Sequence, residues 1–343
     1  MSITDDKSRP TYPARRRVLV SGALGAAGLL TLPVILPPQA QASQTEAMPA
    51  DDGPLAPGWR RFRFGEAVVT VIADGVRPGP GPHPTFGSDQ EAEAVGDLME
   101  ANDLPRERTA SFFNVVVVQT GGSTVLIDTG FGAGGRENGM GRLTARLRAA
   151  GIAPDQIDLV ALTHCHGDHI GGLMEDGAPA FANARLAVGE AELAFWTSDE
   201  ARAGERAGNA QAVADLVLPF DDSPTLLADG DEVVPGITAR AAFGHTPGQL
   251  AYEVAGGARN LLIAGDVFHH PVISFQRPDW RVQFDMDHEA AAATRSALAL
   301  RAADEGMAVM AYHLPFPGLG YVIRDGETFR YLPESVQNLT DTL

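Results

Sequence analysis

Short apolar runs alternate with amphipathic segments along most of the chain. Runs typical of buried strands lie at 113–118, 124–128, 157–162, 185–188, 237–243, 250–254 and 260–263, with further strands near Val309 and Tyr321. Apolar side chains at helical spacing predict helices over 90–102, 139–150, 190–196 and 288–302. Because strands and helices alternate throughout, the pattern indicates an α/β or layered α+β fold.

The first part of this pattern is a predicted hairpin followed by a loop. Strands at 62–64 and 67–73 flank Gly65, which is suited to a tight turn. Pro and Gly then alternate over 76–87, and this composition predicts a long loop.

The N-terminal 42 residues have the features of an export signal. Three arginines at 15–17 precede an apolar, Gly-containing stretch that ends at Leu36, and a small-x-small cleavage site follows at 40–42. The paired arginines resemble a twin-arginine signal, which would export the folded chain to the periplasm or out of the cell. The alternative is an uncleaved membrane anchor, since about 18 apolar residues can just span a bilayer.

The rest of the chain is predicted to be a linker and one domain. Residues 43–58 are rich in Ala, Pro, Asp and Gln and are expected to be a linker. Residues 59–343 are expected to form a single domain, with no stable membrane association once the signal is cleaved.

Composition limits the chemistry available to this chain. The 343 residues include 44 acidic and 26 basic side chains, so the formal net charge is −18. This balance argues against a nucleic-acid partner, because phosphate binding relies on Lys and Arg. A single Cys cannot form an intramolecular disulfide or a Cys-based metal site, so any metal has to be held by His and carboxylates.

The clearest candidate for chemistry is the segment Thr-His-Cys-His-Gly-Asp-His, which directly follows a predicted strand. In an extended chain His164 and His166 project to the same side, and Asp168 and His169 follow where the chain turns into a helix. Imidazoles and carboxylates suit Zn, Fe, Mn or Co. Four ligands are more than one tetrahedral site with an open position can use, so two metals are expected. The intervening Cys165 is expected to be buried and inert.

Three further candidate ligands follow apolar strands. They are His245 in Gly-His-Thr-Pro-Gly, Asp266 in Gly-Asp, and His313 in His-Leu-Pro-Phe-Pro-Gly. A lone His after a strand is more often an ordinary hydrogen-bonded residue, but the order of all these motifs together favours one shared site.

This ordered series resembles the metallo-β-lactamase superfamily, and Asp128-Thr129-Gly130 matches the earlier signature of that superfamily. The resemblance covers roughly Trp59 to Pro333. Local runs around Phe195-Trp196, His245 and His313 are most similar to the exported branch that contains methyl parathion hydrolase and related lactonases. The resemblance implies an αββα sandwich with the metals at one edge, between the two sheets.

The same resemblance implies a division of the seven candidate ligands between two divalent cations, with zinc the expected metal. By motif position the first cation would be held by His164, His166 and His245, the second by Asp168, His169 and His313, and both by the bridging Asp266. A metal-bridging hydroxide would then attack a carbonyl or phosphoryl group that the same cations polarise. Asp168 would also act as the catalytic residue that orients this hydroxide or passes its proton to the leaving group. Asp128 would orient a ligand by hydrogen bonding, or simply end a strand.

Candidates for substrate contact are fewer. Lactonases of this superfamily that open quorum signals carry a Tyr three residues after the bridging Asp, where this chain has His269. An imidazole donor there favours a lactone or ester, and a surface His is the alternative. Trp196 and Phe131 could form an apolar wall, or they could be ordinary core aromatics.

One acidic segment is expected to have a structural role. His288, with Asp285 and Asp287, lies at the start of a predicted helix, where carboxylates suit the helix dipole, so capping is expected rather than metal binding.

The sequence therefore predicts an exported metal-dependent hydrolase of a small neutral lactone, aryl ester or organophosphate. Alternatives are a thioesterase of the glyoxalase II type, a β-lactamase, and a non-catalytic periplasmic metal-binding protein. The first would call for a basic C-terminal region, whereas only Arg324 and Arg330 follow His313. The exact substrate, the cation bound in the cell and the formation of a homodimer are left open.

Overall fold

The computed structural model describes residues 58–335. Its strands, in chain order, are β1 (Trp59–Phe64), β2 (Ala67–Pro80), β3 (Arg108–Thr120), β4 (Ser123–Ile127), β5 (Leu159–Ala161), β6 (Met174–Glu175), β7 (Ala178–Pro179), β8 (Arg185–Gly189), β9 (Thr225–Leu227), β10 (Glu232–Val234), β11 (Ile237–Ala241), β12 (Leu250–Val254), β13 (Leu261–Ile263), β14 (Ala308–Met310), β15 (Leu319–Asp325) and β16 (Thr328–Pro333). Its α-helices are α1 (Ala92–Ala101), α2 (Leu143–Ala149), α3 (Gly167–Ile170), α4 (Glu190–Trp196), α5 (Asp199–Ala203), α6 (Ala207–Ala212), α7 (Ile273–Gln276) and α8 (His288–Glu305).

Fourteen of these strands form two seven-stranded sheets. The first has the order β1-β2-β3-β4-β5-β8-β9. Its strands are antiparallel up to β4 and parallel from there on. The second has the order β10-β11-β12-β13-β14-β15-β16, in which only β13 and β14 run parallel. Short parallel strands need crossover connections, and helices supply most of them.

The two sheets pack face to face, with helices on both outer sides. On β3, Val116 and Val118 contribute to the core between the sheets, where they meet side chains such as Tyr252 of β12. Their neighbours Val115 and Val117 belong to the outer core under the helices, because side chains alternate between the faces of a strand. A third core lies between the second sheet and helices α7 and α8. The layers are therefore αββα, and the predicted fold is confirmed.

Most predicted elements are present, but the loop predicted over 76–87 is wrong in its first part. Strand β2 continues to Pro80 and pairs with β3 along its whole length. On its other side β2 pairs with β1 only as far as Ile72. Residues 76–80 therefore form an edge, where a proline that lacks an N–H donor is tolerated.

The predicted export signal at 1–42 and nearly all of the linker at 43–58 lie outside the described residues. Export, the linker and the boundaries of the single domain stay predictions. Within residues 58–335, no helix combines the length and the apolarity that crossing a bilayer requires.

The sandwich predicts a large difference between two leucines. Leu126 of β4 is fully buried, whereas Leu226 of β9 is 49% exposed. Leu126→Ala should lower the free energy of unfolding by about 2–5 kcal/mol, because it leaves a cavity in the core. Leu226→Ala should change it by less than about 0.5 kcal/mol. Urea denaturation checks both values, and equal losses would contradict the packing described here.

Candidate metal centre

The histidine-rich segment leaves the end of β5 at the edge shared by both sheets. The backbone at His166 is extended (φ −74°, ψ 155°), and the four-residue helix α3 follows immediately with Asp168 and His169. This is the predicted change from extended chain to helix. Cys165 between the first two histidines is fully buried, as expected, and burial raises the pKa of its thiol well above the usual value.

Three histidines from two loops form the first group of candidate ligands. His166 Nδ1 lies 3.1 Å from His164 Nε2 and 2.9 Å from His245 Nε2. His245 stands in the loop between β11 and β12 of the second sheet, so the group joins both sheets. Their candidate ligand atoms all lie within 4.8 Å of one another.

The second group consists of Asp168, His169 and His313. The Asp168 Oδ2 atom lies 3.5 Å from the Nε2 atoms of both His169 and His313. His313 follows β14, the strand that lies beside β13 in the second sheet.

Asp266, which follows β13, lies between the two groups. Its Oδ2 atom is 3.4 Å from His245 Nε2 and 3.0 Å from His313 Nε2. Its other oxygen, Oδ1, lies 3.3 Å from His169 Nε2. One buried carboxylate thus contacts a member of each group, which is the position that the resemblance implied for a bridging ligand.

Hydrogen bonds from outside the cluster orient its histidines. The Nδ1 atoms of His169, His245 and His313 donate to Asp128, Asp285 and the Phe112 carbonyl, at 2.8, 2.9 and 2.9 Å. With Nδ1 bonded outside the cluster, the Nε2 atom of each ring faces the centre of the cluster, where it can bind a cation.

Unpaired buried atoms test whether the cluster suits a cation. Among the described residues, His169 Nε2 and Asp266 Oδ1 are buried and have no hydrogen-bond partner. Buried polar atoms normally have one. Burial and the neighbouring histidines lower the pKa of His164 well below its ordinary value, so its ring is neutral and has a lone pair available for a metal. Imidazoles and carboxylates that converge in this way fit a divalent cation of the zinc type, which would take the place of any proton on the ring nitrogens that face it.

The Asp128-Thr129-Gly130 turn secures the loop that carries the second group. Asp128 adopts a left-handed backbone (φ 62°), which Asp tolerates better than most residues. Its carboxylate accepts the backbone N–H and hydroxyl of Thr163, besides the ring N–H of His169, each at 2.8 Å. At Gly130 (φ 70°), an added Cβ would lie 2.4 Å from the carboxyl carbon of Asp74. Only glycine fits this position.

The expected capping role holds for Asp287 but is wrong for Asp285. The Asp287 side chain accepts from the backbone of Glu289 at the start of α8. Asp285 instead joins His245 to Arg295, whose guanidinium is 2.8 Å away and almost fully buried. Burial raises the pKa of Asp285, but these two partners outweigh it and hold the pKa well below the usual value. The 40 residues between Asp285 and His245 explain why no local pattern indicated this contact.

A cavity of about 280 Å³ opens onto the cluster. Candidate ligands on its wall include His166, Asp168 and Asp266, and the predicted contact residues Phe131 and His269 line it too. Its remaining wall is mixed in character, with aromatic side chains from Phe86 and Phe284 and polar ones from Arg77, Ser111, Arg206 and Asn209. The cavity can therefore admit a small molecule with both apolar and polar parts.

The two other predicted contact residues have different outcomes. Trp196 does not line the cavity; it is fully buried, and its indole N–H donates to Glu192 at 2.7 Å. The alternative of a core aromatic is therefore correct. His269 is buried beside Asp266, and neither of its ring nitrogens has a hydrogen-bond partner. Burial lowers the pKa of His269 to about 4, so the ring is neutral at pH 7.

Comparison with known sequences identifies one family. A sequence model described as the metallo-beta-lactamase superfamily matches residues 108–313. This span begins with β3, ends at the last candidate ligand and includes all seven.

Three solved structures resemble the chain over almost their whole length. AidC, described as a dizinc quorum-quenching lactonase, is 25% identical with a TM-score of 0.75, and the match covers 81% of this chain and 98% of AidC. The hydrolase AbOPH, placed in the beta lactamase superfamily, is 27% identical with a TM-score of 0.76, covering 82% of this chain and 99% of AbOPH. A probable metal-dependent hydrolase from Staphylococcus aureus, 20% identical (TM-score 0.62; 80% and 99% covered), shares the fold.

Curated relatives match shorter segments. Ribonuclease Z from Aeropyrum pernix is 40% identical over 60 residues, which are 18% of this chain and 16% of the relative. The uncharacterized protein YobT of Bacillus subtilis is 31% identical over 112 residues, 32% of this chain and 45% of the relative. The chain thus spans less than half the length of either relative.

The unpaired donors predict that a divalent cation stabilises the folded chain. Zn²⁺ in large excess over its dissociation constant should raise the melting temperature of the metal-free protein by about 5 °C or more, because it binds only the native state. His164→Ala should remove most of this rise. His288→Ala, outside the cluster at the start of α8, should retain it. Differential scanning fluorimetry provides the measurement, and an equal rise in both variants would contradict the assignment.

Proposed function

The chain belongs to the metallo-beta-lactamase superfamily, and we propose that it uses two divalent cations to hydrolyse a small lactone, aryl ester or organophosphate. The observation that carries this proposal is the convergence of seven ligand-type side chains beside a cavity that five of them line, three of the seven having a buried polar atom with no hydrogen-bond partner. His164, His166 and His245 would hold one cation, and Asp168, His169 and His313 the other. Asp266 would contact both.

Cations bound there would lower the pKa of a water molecule and polarise the carbonyl or phosphoryl oxygen under attack. Zinc is the proposed metal, and the dizinc description of AidC supports two such ions. The donor set contains no thiolate, since the single Cys165 is fully buried and belongs to none of the candidate ligand groups.

Asp168 is the proposed catalytic residue. Its side chain is 20% exposed and lines the cavity, whereas the Asp266 side chain is 4% exposed and surrounded by histidines. A carboxylate open to the cavity can take a proton from the attacking water and deliver it to the leaving group. Asp168 therefore combines a ligand role with proton transfer.

His269 is the proposed donor to the substrate oxygen. Its ring is neutral and lines the cavity, and neither nitrogen has a hydrogen-bond partner among the described residues, although Nε2 lies 3.5 Å from Asp266 Oδ2. Phe86 packs beside this ring, with the ring centroids 6.2 Å apart, and limits its movement. Lactonases of this superfamily that open quorum signals carry a Tyr donor at this position, so an imidazole N–H there favours a lactone or ester.

The cavity walls support a substrate with an apolar portion. Phe86, Phe131 and Phe284 supply aromatic surface, and Phe131 is fixed because its backbone N–H donates to Asp74 at 3.0 Å. AidC has been described in complex with the product N-hexanoyl-L-homoserine, an acyl compound with both apolar and polar parts. We propose that the present chain acts on the same class of substrate and that it belongs to the methyl parathion hydrolase branch. We also propose that it is exported by the twin-arginine route and acts in the periplasm or outside the cell.

Loss of one ligand should remove metal and activity together. His166→Ala and Asp266→Ala should each reduce hydrolysis of a chromogenic aryl ester by at least about 100-fold, because the cations no longer bind. Chelation of the wild type should have the same effect, and added Zn²⁺ should reverse it. The assay is steady-state release of the phenol, with His288→Ala as the unaffected control. Wild-type turnover in either ligand variant, or turnover that survives chelation, would refute the proposal.

The proposed role of His269 predicts a change in substrate preference. His269→Leu should lower kcat/KM for lactones by about 10-fold or more while leaving phosphotriester hydrolysis within about 3-fold, because the donor is proposed to be placed for the carbonyl oxygen of a lactone. His269→Tyr, which restores a donor, should recover much of the lactonase activity. Both rates are measured on the same zinc-loaded preparations. An unchanged ratio of the two activities would rule out a substrate contact by His269.

A further inference from the structure

Glu192 is a buried carboxylate on α4 that belongs to neither group of candidate ligands and does not line the cavity. Its Oε1 atom accepts the backbone N–H of Cys165 at 2.9 Å and the indole N–H of Trp196 at 2.7 Å. Its Oε2 atom accepts the Thr246 hydroxyl at 2.7 Å and the backbone N–H of Gly248 at 3.0 Å. Four donors thus surround one carboxylate.

Two of these donors are sequence neighbours of the first group of ligands. Cys165 lies between His164 and His166, in the loop that leaves the first sheet after β5. Thr246 directly follows His245, in the loop between β11 and β12 of the second sheet. The carboxylate of Glu192 therefore joins two loops that come from different sheets and that together supply three ligand atoms.

The backbone is shaped for this contact. An added Cβ at Gly248 would lie 2.0 Å from the backbone nitrogen of Glu192, so only glycine allows the loop to come so close. An added Cβ at Gly189, just before α4, would lie 2.6 Å from the carbonyl oxygen of Gly248. Gly248, the final glycine of the Gly-His-Thr-Pro-Gly motif, thus allows the start of α4 to pack closely against the loop that carries His245.

A second contact runs through Trp196. Its indole, held by Glu192, packs edge-on against the ring of His166, with the ring centroids 6.0 Å apart. Glu192 therefore restrains the backbone beside His164 and His245 and, through Trp196, the ring of His166. Since all four donors are engaged and the side chain is fully buried, the carboxylate is not available to substrate or to proton transfer.

We propose that Glu192 is a positioning residue that sets the spacing of His164, His166 and His245, so that the affinity of this group for a divalent cation depends on it. The proposal rests on the proposed metal site. Residues that orient ligands from outside typically change metal affinity by about 10–100-fold when they are replaced.

Glu192→Gln tests the proposal, because an amide keeps the size of the side chain but cannot accept from all four donors. Glu253→Gln is the matched control: Glu253 on β12 is 6% exposed and accepts from Arg240 at 2.9 Å and Arg301 at 3.0 Å, and it contacts no ligand loop. Zn²⁺ affinities of the two sites are measured by competition with a chromophoric chelator, and the melting temperature of each metal-free variant is measured in parallel.

Glu192→Gln should weaken one of the two Zn²⁺ sites by about 10-fold or more and leave the other within about 3-fold. Glu253→Gln should lower the melting temperature of the metal-free protein and leave both affinities unchanged. If Glu192→Gln does not fold, Thr246→Val removes only one arm of the contact and should weaken the same site by about 5-fold.

Unchanged affinities in the folded Glu192 variant, or in Thr246→Val when only that variant folds, would overturn the positioning role. So would an equal loss of affinity in Glu253→Gln, since the effect would then be one of general stability. A wild-type chain that binds no Zn²⁺ would refute the proposed function itself, and this outcome is distinct from the others.

Discussion

Hydrogen bonds to buried carboxylates hold the candidate ligands in fixed positions, and the rest of the site depends on these hydrogen bonds. Asp128 and Asp285 each accept a ring N–H from one histidine, and Glu192 joins the two loops of the first group. A free imidazole can rotate and change tautomer, so that its lone pair points elsewhere. Because these acceptors fix both the tautomer and the ring orientation, the donor atoms converge on one centre. The buried charge is in turn compensated, at Asp285 by the guanidinium of Arg295.

The sandwich brings these groups together because its strands end at a shared edge. Histidines after β5 and β14, and Asp266 after β13, come from elements far apart in the sequence but adjacent in the two sheets. The cavity opens where the layers meet, so ligands form its floor while β2, β3 and the region of α6 supply its walls. Substrate preference can therefore change through the walls without altering the floor.

The seven candidate ligands could be proposed from the sequence, because their residue types occur in an order that is unusual in unrelated proteins. Of their outer partners, Asp128 could be proposed as well, because it lies in the Asp-Thr-Gly motif, but Glu192 and Asp285 could not. Glu192 and Asp285 lie 27 and 40 residues from the groups they bind, in segments whose acidic residues suit helix starts equally well. For Trp196 the sequence left a pocket wall and a core position open, because an aromatic next to a motif gives no sign of which side it faces. In the fold, apolar periodicity identified the main strands and helices, whereas the extension of β2 to Pro80 depends on pairing with β3, which local composition does not encode.

The central claim is that one chain holds two divalent cations at this edge of the sandwich. Its most direct test is the zinc content of the metal-free protein after equilibrium dialysis against a small excess of Zn²⁺, measured by elemental analysis. The predicted result is two zinc ions per chain in the wild type. One ion or none at saturation would contradict the claim, because it would leave converging, unpaired donors without the second cation that their arrangement is proposed to hold.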